Sequence, residues 1–170
     1  MIQRRQTLYL LTIVVLGIVL FFCSVIQFTT TESSGVQRMF FLDALGVEEV
    51  TPDMDYVAME PIAFKGVWGL TLTTALIPLL ALIDIFLYKK RLLQARLNIF
   101  LALLCIGYYG ILLMYAWFMR ASIRMTHYLE LDWNICFGAC VPLVCLVLTI
   151  GATRLILKDE ALVRAADRIR

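Results

Sequence analysis

The sequence predicts an all-α fold, a four-helix transmembrane bundle with a long outward-facing loop between its first two spans. Three observations predict it. The 170-residue chain is 62% hydrophobic and 16% charged, whereas soluble domains carry about 25% charged residues. Four long stretches lack any charged residue, and the basic residues concentrate on one predicted side of them. This composition excludes a disordered chain, a nucleic-acid-binding protein and an ordinary soluble enzyme.

The four uncharged stretches place the spans within a single membrane domain, residues 1–170. They are 26, 18, 23 and 21 residues long: Gln6–Thr31, Gly66–Ile83, Leu97–Met119 and Trp133–Thr153. A bilayer core of about 30 Å needs roughly 20 helical residues, and backbone polar groups must be paired within lipid. We therefore predict four helical spans: 8–28, 67–87, 97–118 and 134–153.

The start of the first span also has features of a signal peptide, since Arg4 and Arg5 precede an apolar stretch. The stretch is long, however, and no small-residue cleavage site follows it. We therefore expect this segment to be retained as a span.

The distribution of basic residues predicts the orientation. Lys and Arg are enriched in the cytoplasmic segments of membrane proteins. Eleven of the fifteen lie in the N-terminal segment, the connection 88–96 and the tail from Arg154, and four lie in the other two connections. Both termini are therefore predicted to be cytoplasmic.

The outer loop, residues 29–65, is acidic, with seven acidic residues against Arg38 and Lys65. Turn-forming residues separate the segments Val36–Leu42 and Tyr56–Met59, and this pattern favours a short β-hairpin. Two interpretations stay open: a lid packed on the outer end of the bundle, or a docking surface for a basic partner.

The tail, residues 154–170, is predicted to be a cytoplasmic helix. Five apolar residues share one helical face: Leu155, Leu162, Ala165, Ala166 and Ile169. The tail either lies at the membrane surface near anionic headgroups or binds a cytoplasmic partner.

Asp84 is the only acidic residue inside a predicted span. It lies near a helix C-terminus, where the helix dipole disfavours an anion, so we expect a compensating partner. Four candidates are close in sequence: Asn98 on the next span, and Lys89, Lys90 and Arg96 in the turn. Asp84 is then either an interfacial carboxylate held by basic residues or the proton or cation site of a small transporter.

Three cysteines are predicted at similar depth in the outer half of the membrane: Cys23 in the first span, and Cys136 and Cys140 in the fourth. A disulfide among them would suggest a four-span thiol-redox enzyme. However, the chain has no Cys-x-x-Cys motif. The alternative is that all five cysteines are small apolar packing residues.

No pattern of catalytic, cofactor-binding or metal-ligating residues is found in the sequence, and the one histidine, His127, lacks a second ligand nearby. We therefore predict no cofactor and no metal. The leading hypothesis is a non-enzymatic accessory or scaffold subunit. Its expected partners are the lipid bilayer and other membrane proteins or a second copy of the chain.

Two segments at the ends of the chain resemble a known family. One is Met1-Ile2-Gln3-Arg4 with Gln6-Thr7-Leu8-Tyr9-Leu10-Leu11; the other is Lys158-Asp159-Glu160-Ala161-Leu162-Val163-Arg164 with Ala166-Asp167-Arg168-Ile169-Arg170. They resemble uncharacterised four-span inner-membrane proteins from Bacteroidota, classed as a domain of unknown function, although Arg5 replaces an expected apolar residue. The resemblance implies a bacterial inner-membrane protein and supplies no catalytic residues.

Overall fold

The computed structural model describes residues 5–31, 37–50, 67–87, 90–125 and 130–169. The elements in chain order are α1 (Arg5–Leu20), β1 (Ile26–Thr31), β2 (Gln37–Leu42), β3 (Val47–Val50), α2 (Trp68–Phe86), α3 (Arg91–Met125), β4 (Glu130–Ile135), a 3-10 turn (Phe137–Cys140) and α4 (Val141–Ile169). The described chain is mostly helical, with one small antiparallel sheet. Three helical stretches are long and apolar enough to cross a membrane: Trp68–Phe86, Leu92–Ala121 and Phe137–Leu162.

The helices pack in chain order, with α4 returning to α1. Helix α1 packs against α2 and α4, and α3 packs against the same two helices. Large side chains from all four are fully buried between them, including Leu10, Ile77, Tyr108 and Ile156. These buried side chains form the core, which lies between the four helices.

The sheet has the strand order β3-β2-β1-β4, and every neighbouring pair is antiparallel. Side chains along β1 alternate in burial, with Ile26, Phe28 and Thr30 buried. Phe28 lies opposite Phe40 of β2 on one side and Trp133 of β4 on the other. The predicted helical fold is therefore confirmed in part: the described chain is mostly helical, but β1 and β4 join the first and third connections into a four-stranded sheet, where the sequence predicted at most a short hairpin.

The helix predicted over the first span, 8–28, ends at Leu20, so its helical conformation is wrong beyond that residue. Residues from Ile26 onwards form β1. Its β-branched and aromatic residues favour a strand, although the segment is as free of charge as the helix before it. Cys23, predicted inside the span, therefore lies in the turn between α1 and β1.

The other helices also differ from their predicted bounds. Helix α2 nearly coincides with 67–87, and α3 extends beyond 97–118 at both ends. Helix α4 begins at Val141 instead of residue 134, because β4 continues to Ile135. Helix α4 then runs without a break through the predicted tail to Ile169. Within the tail, Ile156 is buried, although it was not part of the predicted apolar face.

The sheet is seated directly on one end of the helices. Thr71 of α2 donates its hydroxyl to the Ala44 carbonyl at 2.7 Å. The Val25 amide donates to the Leu42 carbonyl at 2.9 Å. Packing of the sheet on the helices is what the lid interpretation predicts, but the outward side of this end stays a prediction. Strand β2 corresponds to the predicted strand Val36–Leu42. The second predicted strand, Tyr56–Met59, lies outside the described residues.

Helix α1 lies close to α2 at Gly17. A Cβ atom at this position would lie 2.9 Å from Cδ of Pro78, whose ring cannot rotate away. We expect Gly17→Ala to lower the free energy of unfolding by about 1–3 kcal/mol, measured from thermal or denaturant unfolding in detergent micelles. Gly107→Ala is the matched control, since no atom lies within 4 Å of its added Cβ. Equal stability of the two variants would contradict the close approach.

Candidate functional site

A buried polar cluster lies between the end of α2 and the beginning of α3; we call Asp84, Gln94 and Asn98 the polar cluster. Their exposed fractions are 1%, 2% and 0%. Asp84 is in the last turn of α2, and Lys90 donates its amide to the Leu87 carbonyl at 2.9 Å, which brings α3 next to that turn. Gln94 and Asn98 are four residues apart, so both side chains project from the same face of α3.

Two hydrogen bonds join the polar cluster across the two helices. Asn98 Nδ2 donates to Asp84 Oδ2 at 2.6 Å. Gln94 Nε2 donates to the main-chain oxygen of Asp84 at 3.1 Å. This carbonyl belongs to the last turn of a helix, where intrahelical donors run out. The polar cluster therefore fastens the end of α2 to the start of α3.

Each member of the polar cluster also has an oxygen without a hydrogen-bond partner among the described residues. These atoms are Asp84 Oδ1, Gln94 Oε1 and Asn98 Oδ1. Of the four predicted partners of Asp84, the structure brings Asn98 to it, whereas the side chains of Lys90 and Arg96 are exposed. Lys89 lies outside the described residues.

The chemistry available in the polar cluster is limited to hydrogen bonding and proton binding. One carboxyl group and two amides supply oxygen atoms and N–H donors, and none of the three is a nucleophile paired with a base. In the part of the chain that the structure describes, no three His, Cys, Asp or Glu residues gather in a group that could hold a metal ion. His127 lies outside that part.

Sequence reasoning missed two buried polar residues at this end of the helices. Gln94 could have been found from its spacing, since it lies one helical turn before Asn98 on the same face. Gln6, in the first turn of α1, is 3% exposed and its Oε1 also has no partner among the described residues. The position of Gln6 at the edge of an uncharged stretch did not indicate that its side chain would be buried.

The cysteines predicted to approach each other lie on neighbouring backbone segments. The Cys136 amide donates to the Val25 carbonyl at 3.0 Å, and the Gly138 amide donates to the Ser24 carbonyl at 3.2 Å. The segment containing Cys23 therefore runs beside the one containing Cys136, and Cys140 ends the 3-10 turn. All three are free thiols in the structure.

The environment of Cys136 differs from that of a reactive thiol. Burial, and to a smaller extent the negative charge of Asp43, raises the pKa of the Cys136 thiol. Reactive thiols have the opposite shift, because the thiolate is the nucleophile. Cys105 and Cys145 are buried in the helical core and are also free.

Comparison with known proteins identifies the family but no activity. Residues 2–169 match a family described as a domain of unknown function (DUF4293). No curated protein has significant similarity to the chain. The resemblance noted at the two ends of the sequence is therefore confirmed at the level of the family, whereas the origin in Bacteroidota and the number of spans stay predictions. The match covers nearly the whole chain, which thus belongs to the DUF4293 family of unknown function.

Proposed function

We propose that the protein is an integral protein of a bacterial inner membrane whose four helices form a transmembrane bundle. In this proposal the sheet lies on the outer side, both termini lie in the cytoplasm, and the protein is a non-enzymatic accessory or scaffold subunit. The membrane location and the accessory role rest on different observations.

The observation that carries the membrane location is the apolar outer surface of the helices. More than half of the side-chain surface of Leu72, Leu103, Leu113 and Val147 is exposed, on three different helices. The three candidate spans have mean hydropathies of 2.0, 2.1 and 2.2. Soluble proteins rarely expose apolar patches larger than a few hundred Å². Helices whose packed faces and exposed faces are both apolar are expected where the surrounding solvent is the hydrocarbon of a membrane.

Helix α1 is short for a membrane span, but the backbone that follows it is hydrogen-bonded within the protein and is therefore compatible with a membrane location. Its 16 residues extend about 24 Å at 1.5 Å per residue, less than a typical bilayer core of about 30 Å. Beyond Leu20, the amides of Phe21, Phe22 and Cys23 donate to carbonyls of the last helical turn. Non-helical backbone at membrane depth is tolerated when it is paired within the protein.

Aromatic and charged side chains support the proposed orientation. Trp68, Trp117 and Trp133 are all exposed, and all belong to segments at the sheet end of the molecule. Tryptophan is enriched at membrane–water interfaces. At the opposite end, Lys90 and Arg96 are exposed beside the short α2–α3 turn. This asymmetry is typical of a protein with its basic end in the cytoplasm.

The accessory role is supported by what the described side chains are used for. The largest fully buried side chains are Tyr108 and a set of apolar residues that join the helices and the sheet. The buried polar residues mostly bond to the backbone; Thr73, Thr74 and Thr149 each donate to a carbonyl of their own helix. Such a molecule offers a stable surface within the membrane, which suits a subunit that binds other proteins.

Co-purification tests the accessory role. The protein is extracted from its native membrane in a mild detergent after brief chemical cross-linking, and mass spectrometry identifies the cross-linked partners. A second membrane protein of similar size, extracted in parallel, is the control for chance association. We expect a specific membrane-protein partner or a defined homo-oligomer. A monomer without cross-linked partners would contradict the accessory role and leave the membrane location standing.

A further inference from the structure

We propose that Asp84 is a proton-binding site inside the bundle, with its carboxyl group neutral and paired to the amide of Asn98 through two hydrogen bonds. The ligand is a proton, and the site couples its binding to the contact between α2 and α3. This inference is independent of the accessory role, since it concerns the interior of the protein.

The unpaired oxygens of the polar cluster favour a proton on Asp84. With an ionised Asp84, the polar cluster leaves three buried oxygens unpaired: Asp84 Oδ1, Asn98 Oδ1 and Gln94 Oε1. Each unpaired buried polar atom carries a desolvation penalty. A proton on Asp84 Oδ1 makes this atom a donor. Because Asn98 Nδ2 already lies 2.6 Å from Asp84 Oδ2, the O–H group can donate to Asn98 Oδ1. The resulting cyclic acid–amide pair satisfies two of the three oxygens.

The charged groups on the helices packed around Asp84 also favour its neutral form. Helix α2 packs against α1 and α3. Asp84 is the only charged residue of α2, and Tyr9 is the only titratable residue between Gln6 and Leu20 of α1. On α3, Arg96 is exposed, and Cys105 and Tyr108 lie two and three turns beyond Asn98; the side chain of Arg91 lies outside the described residues.

None of these described groups supplies a buried positive charge beside Asp84, and Lys90 before α3 is exposed. An ionised carboxyl removed from water without a counter-ion is costly, and proton binding removes that charge. Position adds to this cost, because the C-terminal end of a helix disfavours a negative charge.

The number and kind of ligand atoms favour a proton over a metal ion. Oxygen-ligated ions such as Ca²⁺ and Mg²⁺ take six or more ligands, whereas the polar cluster offers three unpaired oxygens. One oxygen of Asp84 also faces the Asn98 N–H group, and an N–H donor repels a cation. A proton needs neither further ligands nor the removal of that donor.

The substitution Asp84→Asn tests the proposal, because asparagine imitates the shape and hydrogen bonding of the neutral acid. Unfolding of the purified full-length protein is followed in detergent micelles from mildly acidic to alkaline pH. If Asp84 keeps its proton only in the folded protein, the folding equilibrium constant falls about tenfold for each unit by which the pH rises. This fall begins at the pH at which the unfolded chain loses the proton and ends at the pH at which the folded protein loses it.

We expect the wild-type protein to have this slope, and Asp84→Asn to lack it while unfolding within a few degrees of the wild type in the acidic range. Thr149→Val is the matched control: Thr149 is fully buried and bonded to its own helix, so its loss changes stability without changing the slope. A strongly destabilised Asp84→Asn together with a wild type that lacks the slope would overturn the proposal and indicate an ionised Asp84 held by a basic residue.

Infrared spectroscopy of the wild type keeps the test decisive if Asp84→Asn does not fold. A carboxylic acid has a carbonyl stretching band that a carboxylate lacks. We expect this band at neutral pH in the wild type and a shift of it in Asn98→Ala, which loses the paired amide. The absence of the band at neutral pH in the folded wild type would refute a bound proton.

Discussion

Replacing Gly138 by valine is expected to be among the most damaging single changes in the protein. A Cβ atom at this position would lie 2.5 Å from the Ser24 carbonyl oxygen and 3.1 Å from that of Cys23, and both are backbone atoms. The two segments are held by hydrogen bonds from Gly138 to Ser24 and from Cys136 to Val25. The backbone cannot retreat without breaking them.

The expected cost of Gly138→Val is about 3 kcal/mol or more of unfolding free energy, at or above the upper end for overpacking. Denaturant unfolding of the purified protein in detergent micelles measures it. Gly110→Val is the matched control, since Gly110 is an exposed glycine of α3 with no atom within 4 Å of an added Cβ. If both valine variants unfold together with the wild type, the packing of the 3-10 turn against the end of α1 is not as described.

Replacing Phe40 by alanine is expected to loosen the sheet. Phe40 is 0% exposed, lies on the inner strand β2, and faces Phe28 across the β1–β2 pair. Truncation of a buried phenylalanine costs about 3–5 kcal/mol. We expect a loss of this size in unfolding free energy and faster proteolysis between the strands, while the helices keep their circular dichroism.

Phe22→Ala is the control for Phe40→Ala, because Phe22 is 84% exposed in the turn after α1. Its removal is expected to change stability by less than about 1 kcal/mol. Equal losses in the two variants would show that the sheet is not an independent source of stability.

The sequence predicted α2 well, because charged residues flank it at Lys65 and Lys89. It failed at α1, because Val25 and the six residues of β1 are as uncharged as the helix before them. The alternating burial of Ile26, Phe28 and Thr30 follows a period of two. That period was hidden by threonine and glutamine, which are neither strongly apolar nor charged.

Strand β4 could not be predicted from local pattern alone. Its partner, β1, is about a hundred residues away along the chain, and the pairing of Trp133 with Phe28 arises from tertiary structure. Because β4 continues to Ile135, the fourth helix begins at Val141 and not at the predicted residue 134. Pro142 therefore lies in the first helical turn, where a missing N–H group costs little.

The candidate site was predicted in part. Asp84 and Asn98 flank a short turn, so antiparallel helices bring them to the same level, and their hydrogen bond follows from that spacing. The depth of the site was not predicted: the basic turn suggested an interfacial carboxylate, whereas Asp84 is 1% exposed. Gln94 and Asn98, which bond to Asp84, are buried with it.

Cysteine accessibility in cells with a permeabilised outer membrane tests the central claim, a four-span bundle with the sheet outside. All five native cysteines are replaced, and single cysteines are then introduced at exposed residues of alternate ends: Glu48, Lys90, Asp132 and Lys158. A fifth variant carries a cysteine ahead of Met1. A thiol reagent that cannot cross the inner membrane is expected to label the cysteines at positions 48 and 132, and to label the other three after lysis alone. Labelling at position 90 in unlysed cells, or protection at position 48, would contradict the account.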